Sequence, residues 1–159
     1  MKRRISFSII LLFVLSTKVF SQSSVNIIKS TNIDVVLKSN QALFDGNIDA
    51  YQSTYSPEAT IQDNLKINTL NENLEVFKFM LRSGIKVSKD GKPTIWESIN
   101  DISDESGIHN WVICYSNLIF QKGTQKVKIL LNQVCGMKDG KILKEMDIYD
   151  SSELTALFK

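Results

Sequence analysis

The chain has 159 residues, 19 basic and 17 acidic side chains, one histidine and two cysteines, which is room for one ordinary domain with a real core. Its two prolines and seven glycines are scattered and no repeat or low-complexity tract appears, so a single domain without repeats is expected. Without Lys2, Arg3, Arg4 and Lys18, 15 basic residues face 17 acidic ones, which excludes the dense basic surface that a nucleic-acid partner demands.

Those four cations flank a leader. Met1-Lys2-Arg3-Arg4 precedes an apolar run from Ile5 to Leu15, and Val19-Phe20-Ser21 supplies small residues for cleavage. This is the layout of a secretory signal, and the run is shorter than the roughly 20 residues a membrane span needs. Residues 1–21 are therefore expected to be a signal peptide. The mature chain is then expected to begin at Gln22 in the periplasm or outside the cell, with no membrane attachment after cleavage. Residues 22–30 read as a flexible segment, and 31–159 as one domain.

Ile33, Val36, Leu37, Leu43 and Phe44 recur at helical spacing, so the pattern predicts a helix over Asn32–Phe44, capped by Thr31 and ended by Gly46. Asn47 is placed to cap a short second helix with Ile48, Tyr51 and Tyr55 on one face, stopped by Ser56-Pro57. A strand follows at Ala59–Asp63. Leu74, Phe77 and Leu81, with Val76 and Met80 beside them, predict a third helix over Asn71–Ser83, closed by Gly84. Four strands are expected at Thr94–Ile102, Ile108–Gln121, Gln125–Met137 and Lys141–Tyr149. The tight turns at Lys122-Gly123-Thr124 and Lys138-Asp139-Gly140 make the last three a meander. A terminal helical turn over Ser151–Phe158 packs back on the body.

Helices first and a meander afterwards is an α+β pattern in which helices cover one face of the sheet. On the Trp111 strand both faces are apolar: Trp111, Ile113, Tyr115 and Ile119 point one way, and Val112, Cys114, Ser116 and Leu118 the other. One face is expected to cover helices and a pocket, and the Trp111 face to form a homodimer.

Three strings carry a resemblance: Phe44-Asp45-Gly46-Asn47-Ile48-Asp49-Ala50, Tyr55-Ser56-Pro57-Glu58-Ala59-Thr60-Ile61, and Met137-Lys138-Asp139-Gly140-Lys141-Ile142 running into Ile148-Tyr149-Asp150. With the order of elements, they make the chain from about Ile33 to Tyr149 resemble the nuclear transport factor 2-like superfamily, which includes SnoaL-like polyketide cyclases and ketosteroid isomerases. The resemblance implies a cone-shaped, curved antiparallel sheet wrapped around three N-terminal helices, a deep pocket, and dimerisation through the outer sheet face. It implies no single activity.

Within that resemblance Asp63 falls where the isomerases place their proton-shuttling aspartate, and the two donors for the enolate oxygen fall on Ser39 and Gln133. A carboxylate in an apolar pocket can act as a base near neutral pH; equally, an Asp at this position ends a strand and caps the turn at Asn64. Glu145 and Asp147 share one face of the last strand. Either they line the cone with Gln133 and Tyr149, or Met146 and Ile148 turn inward and leave both acids in solvent, a choice that register decides. Cys114 and Cys135 lie on one face of a hairpin, as a disulfide if directly opposed or as two buried thiols lining the interior. His109 has no nucleophile or carboxylate cluster beside it and reads as a surface residue. No glycine-rich phosphate loop, CxxC pair or paired histidine ligand appears, so neither cofactor nor metal is expected. The expected function is an exported protein binding an unidentified small molecule through Ser39, Cys114, Gln133, Cys135, Glu145, Asp147 and Tyr149. The alternatives are an acid-base enzyme with Asp63 as base, or a dimeric interaction domain working through Trp111, Ile113, Tyr115 and Ile119.

Overall fold

The computed structural model describes residues 24–158, so the expected signal over 1–21 and the cleavage point at Gln22 lie outside the described residues. In chain order the elements are β1 (Ser24–Ile27), α1 (Thr31–Phe44), α2 (Ile48–Gln52), β2 (Tyr55–Asp63), β3 (Lys66–Thr69), α3 (Leu70–Arg82), β4 (Lys86–Lys89), β5 (Thr94–Asn100), β6 (Asn110–Lys122), β7 (Gln125–Lys138) and β8 (Lys141–Ile148), then a 3₁₀ turn, Leu154–Phe158.

The helices begin and end where local chemistry permits. Ser30 rather than Thr31 caps α1, its hydroxyl accepting from the Ile33 N–H at 3.1 Å, and Gly46 leaves the helix at φ +67°. Asn47 caps α2 by accepting from the Ala50 N–H at 3.0 Å. Thr69 and Glu72 form a reciprocal capping box at the start of α3.

Three expectations need correction. Tyr55 is not on the second helix but opens β2, which runs on through Pro57; the proline lies between Tyr55 and Thr60, where the pairing of β2 with β8 shifts register and no ladder N–H is required of it. The segment 22–30, expected to be flexible, contains β1, an edge strand antiparallel to β5. Strands β3 and β4 were not expected at all. Each of these short strands is only four residues long, too few for an alternation to show, and exists through the partner beside it.

The eight strands form one sheet in the order β1-β5-β6-β7-β8-β2-β3, with β4 pairing the far half of the β6 edge that β5 occupies. Strand β6 pairs with β7 along its whole length. All pairs are antiparallel except β2 with β8, so the α+β expectation holds with one parallel junction in the sheet. The helices lie on the face carrying Val112, Cys135, Met137 and Ile142. There Ile33 and Val36 of α1, Tyr51 of α2, and Leu74 and Phe77 of α3 complete a packed cluster. A second cluster, built on Leu118, Phe120, Ile129 and Leu131, is closed by Leu154 and Leu157 of the final turn. Among the described residues no helix is long and apolar enough to cross a membrane.

Candidate functional site

Between the two clusters the inner face carries a polar row. Cys114 pairs with Gln133, Gln133 with Asp147, and Asp147 with Asp63, one residue each from β6, β7, β8 and β2. The next row runs Val112, Cys135, Glu145, Ile61. Glu145 and Asp147 face inward because of one extra residue. Lys138 pairs with Lys141 and Met137 with Ile142, but Gly136 pairs with Lys144, so Leu143 is bulged out of the count. The bulge shifts the alternation by one, burying Glu145 and leaving Ile148 57% exposed. The inward reading of the two acids is the observed one.

From the Asp63-to-Gln133 row a cavity of about 330 Å³ extends between sheet and helices, near the lower end of the roughly 300–1,000 Å³ typical of small-molecule sites. Asp63, Asn73, Gln133, Glu145, Asp147 and Tyr149 mark its polar end. Leu118, Phe120, Ile129 and Leu131 form the apolar floor, Phe77 and Met80 of α3 lie across it, and Leu154 and Phe158 of the final turn close one side. Phe158 is held there by stacking on Phe79, ring centroids 6.2 Å apart.

Glu145 is 3% exposed, and its carboxylate is met by neutral donors only. Tyr55 donates its hydroxyl to Oε2, and Gln133 Nε2 donates to Oε1 at 3.1 Å. Gln133 is oriented in turn by Asn40, whose Nδ2 donates to Oε1 at 2.9 Å. Tyr55 has one proton, given to Glu145, so its oxygen accepts from the Tyr51 hydroxyl 2.8 Å away and from Ser39 at 3.3 Å. Asn73 Nδ2 donates to Tyr51 at 2.9 Å. Burial first, and then the charge of Glu145, push both tyrosines well above their ordinary pKa, so each stays a protonated donor.

Asp147 sits differently. Desolvation first, then the charge of Glu145, a hydrogen bond with Glu145 and the charge of Asp63 push its pKa well above the carboxylate range. Its Oδ1 is buried and has no hydrogen-bond partner. Tyr149 donates to Asp63, and burial together with that hydrogen bond raises the phenol further. Among the described residues no group of three or more His, Cys, Asp or Glu side chains is placed to hold a metal ion.

No family model matches the sequence, and no curated protein does. Solved structures match in fold. TerC, crystallised with polyporic acid, superposes with a TM-score of 0.58 at 16% identity over 80% of this chain and 98% of its own. An LEH-like epoxide hydrolase of M. tuberculosis gives 0.57 at 13% identity over 80% and 88%. A nuclear transport factor 2-like protein of unknown function from Burkholderia pseudomallei gives 0.59 at 11% identity over 81% and 98%. The chain has the nuclear transport factor 2-like fold.

In this nuclear transport factor 2-like fold, Asp63, Gln133, Glu145, Asp147 and Tyr149 line the pocket. Asp63 also ends β2, just before Asn64 at φ 52°, so the strand-end and pocket readings are both met. Ser39, Cys114 and Cys135 do not line it. Ser39 is fully buried under Tyr55, spending its proton there. The thiols are free and buried, with Cys114 opposite Gln133 and Cys135 opposite Val112; they are diagonal rather than opposed, so no disulfide joins them. Burial raises both thiol pKa values, Cys135 most. The donors that the isomerase resemblance placed on Ser39 and Gln133 are therefore already committed to Tyr55 and Glu145. Sequence reading missed Tyr51, Tyr55, Asn40 and Asn73, although a tyrosine hydroxyl carried into a core announces a buried polar partner. His109 is exposed, its Nδ1 3.1 Å from the Asn100 carbonyl oxygen.

On the opposite face Trp111, Ile113 and Ile119 are half-buried and Tyr115 is 40% exposed, stacked on Trp96 at 5.7 Å. Trp96, Ile113, Val134 and Met146 form an in-register apolar row across four strands.

Proposed function

We propose that this protein binds a small organic molecule in the pocket, apolar body against Leu118, Phe120, Ile129 and Leu131, polar end at Asp63 and Asp147. The observation that carries this is the cavity itself, continuous between an oily chamber and a carboxylate end. The reading includes export by residues 1–21, supported by the basic, apolar and small-residue order of that leader. Native mass spectrometry of the protein taken from the exporting cell's envelope tests both parts. The expected species begins at Gln22 and carries an organic mass that Leu131→Trp, which fills the chamber, does not carry. If the wild type retains nothing and a neutral apolar dye such as Nile red binds no better to it than to Leu131→Trp, the pocket reading is wrong.

Acid-base catalysis at the same site is favoured by one specific feature, two carboxyls directly opposite each other across β2 and β8, of which Asp147 has its pKa raised by burial and by its acidic neighbours. Asp63 would be the base and Asp147 the acid. Conversion of the retained molecule by wild type but not by Asp63→Asn supports turnover; no conversion by either leaves a binding protein. We also propose that the Trp111 face pairs with a second copy of the chain, supported by the uncharged Trp96-to-Met146 row, which a two-fold axis would bury against itself.

A further inference from the structure

We propose that the pocket selects an amphiphilic amine, with a protonated nitrogen set among Asp63, Glu145 and Asp147 and an apolar body in the chamber beyond them. This rests on the pocket reading above and names the chemistry of its ligand.

Three carboxyl groups line the cavity, and none of its lining side chains is a lysine, arginine or histidine. Their protein donors are nearly exhausted: Glu145 takes Tyr55 and Gln133, and Asp63 takes Tyr149. Asp147 Oδ1, which has lost contact with solvent, takes none. A buried acceptor without a donor is costly, and acids crowded together repel one another. A ligand anion would add to that repulsion. An alcohol would bring one proton and leave the charge uncancelled. An alkylammonium group brings up to three donors and a positive charge, and the apolar floor accounts for the rest of such a molecule.

Burial and the neighbouring acids raise the pKa of Asp147 and so favour its protonated form. The titratable groups facing Asp147 are Asp63 from β2, Glu145 from its own strand, Tyr149 just beyond it, Tyr51 from α2, Cys114 from β6 and Cys135 from β7. The amides of Asn40 on α1 and Asn73 on α3 also line the cavity. None of these is a cation. An ammonium ion arriving beside Asp147 favours the ionised carboxylate, so the acid gives up its proton to solvent as the ligand binds.

The test is calorimetric titration of the intact protein, near neutral pH and in two buffers of different ionisation heat, with phenethylamine, phenethyl alcohol and phenylacetate, with Nile red displacement alongside. Phenethylamine is expected to bind about tenfold to a hundredfold more tightly than the alcohol, the range set by one charged hydrogen bond. Phenylacetate is expected to bind most weakly. Amine binding alone should release a proton, seen as a buffer-dependent heat. In Asp147→Asn the amine preference and the proton release are expected to fall while the alcohol's affinity stays; Asp63→Asn serves the same purpose if the first variant does not fold. Alcohol or acid binding as tightly as the amine, or Nile red binding that no amine displaces, would overturn the inference while leaving the pocket intact. If Nile red does not bind either, the pocket reading fails with it.

Discussion

Replacing Tyr55 by Phe removes one oxygen and disturbs its three partners. The Tyr55 hydroxyl is the donor to Glu145 Oε2 and the acceptor for Tyr51 and Ser39, and all four residues are at most 6% exposed. Losing a hydrogen bond to a buried charge costs about 1.5–3 kcal/mol, and each neutral group left without a partner adds about 1 kcal/mol or more. The ring itself stays, so no cavity term enters. The sum is about 3–5 kcal/mol, a large part of the roughly 5–15 kcal/mol stability of an ordinary domain. Urea denaturation followed by tryptophan fluorescence measures it, with Tyr51→Phe as the comparison. That variant leaves the Tyr55-to-Glu145 bond in place and should cost about 1–2 kcal/mol. Adding Ser39→Ala to Tyr55→Phe should recover part of the loss by removing a stranded hydroxyl. A Tyr55→Phe protein within about 1 kcal/mol of wild type would mean that Glu145 is satisfied by other means, and the account of the buried network would be wrong.

Glu97, 1% exposed, is a carboxylate that burial pushes up in pKa, but hydrogen bonds from Ser30, Asn32 and Asn110 outweigh this and leave it below the ordinary range. Its contribution is thus present above the ordinary carboxylate pKa and is lost as the pH falls through the native value; Glu97→Gln should cost about 1–3 kcal/mol at neutral pH and flatten the acid limb of a urea-stability profile. Asp147 runs the other way. Its raised pKa gives stability that is present below the unfolded carboxylate value and is lost as the pH rises toward the native one, so Asp147→Asn should be more stable than wild type near neutrality by urea titration and level with it in acid. Tyr115→Glu places a charge on the proposed two-fold face, at a ring stacked on Trp96; light scattering should find monomers, and a persisting dimer would put the interface elsewhere.

The helices were legible because their apolar stripes are local, as with Ile33 and Val36 on α1 or Leu74 and Phe77 on α3, whereas the capping residues Ser30 and Thr69 were not the ones read. The hairpins were legible through Gly123 and the Asp139-Gly140 pair, which take positive φ at the turns. Asp63, Gln133, Glu145, Asp147 and Tyr149 were named from sequence, but their common orientation was not decided by it. That depends on the Leu143 bulge, a single uncounted residue whose effect is a property of the pairing with Gly136 rather than of either strand. Ser39, Cys114 and Cys135 show the converse. Small and inward-facing, they had the right direction for a pocket, but Ser39 is spent under Tyr55 and Cys135 is packed into the helix-covered cluster, and a packing depth has no periodicity to read.

The parallel junction of β2 with β8 has a consequence in time as well as in space. The groups that define the polar end come from opposite ends of the domain: Tyr55 and Glu145 are 90 positions apart, and Asn64 and Tyr149, which tie the two strands together below Asp63, are 85 apart. Contacts of such separation pay their loop-closure entropy before they return anything, and they slow folding. During synthesis the helices and the β6–β7 hairpin can assemble while Asp63 still has no acid beside it, since β8 has yet to be made. The polar end of the pocket is thus complete only once β8 has paired with β2, and an occupant that holds the two strands together would act as a clasp on the whole chain.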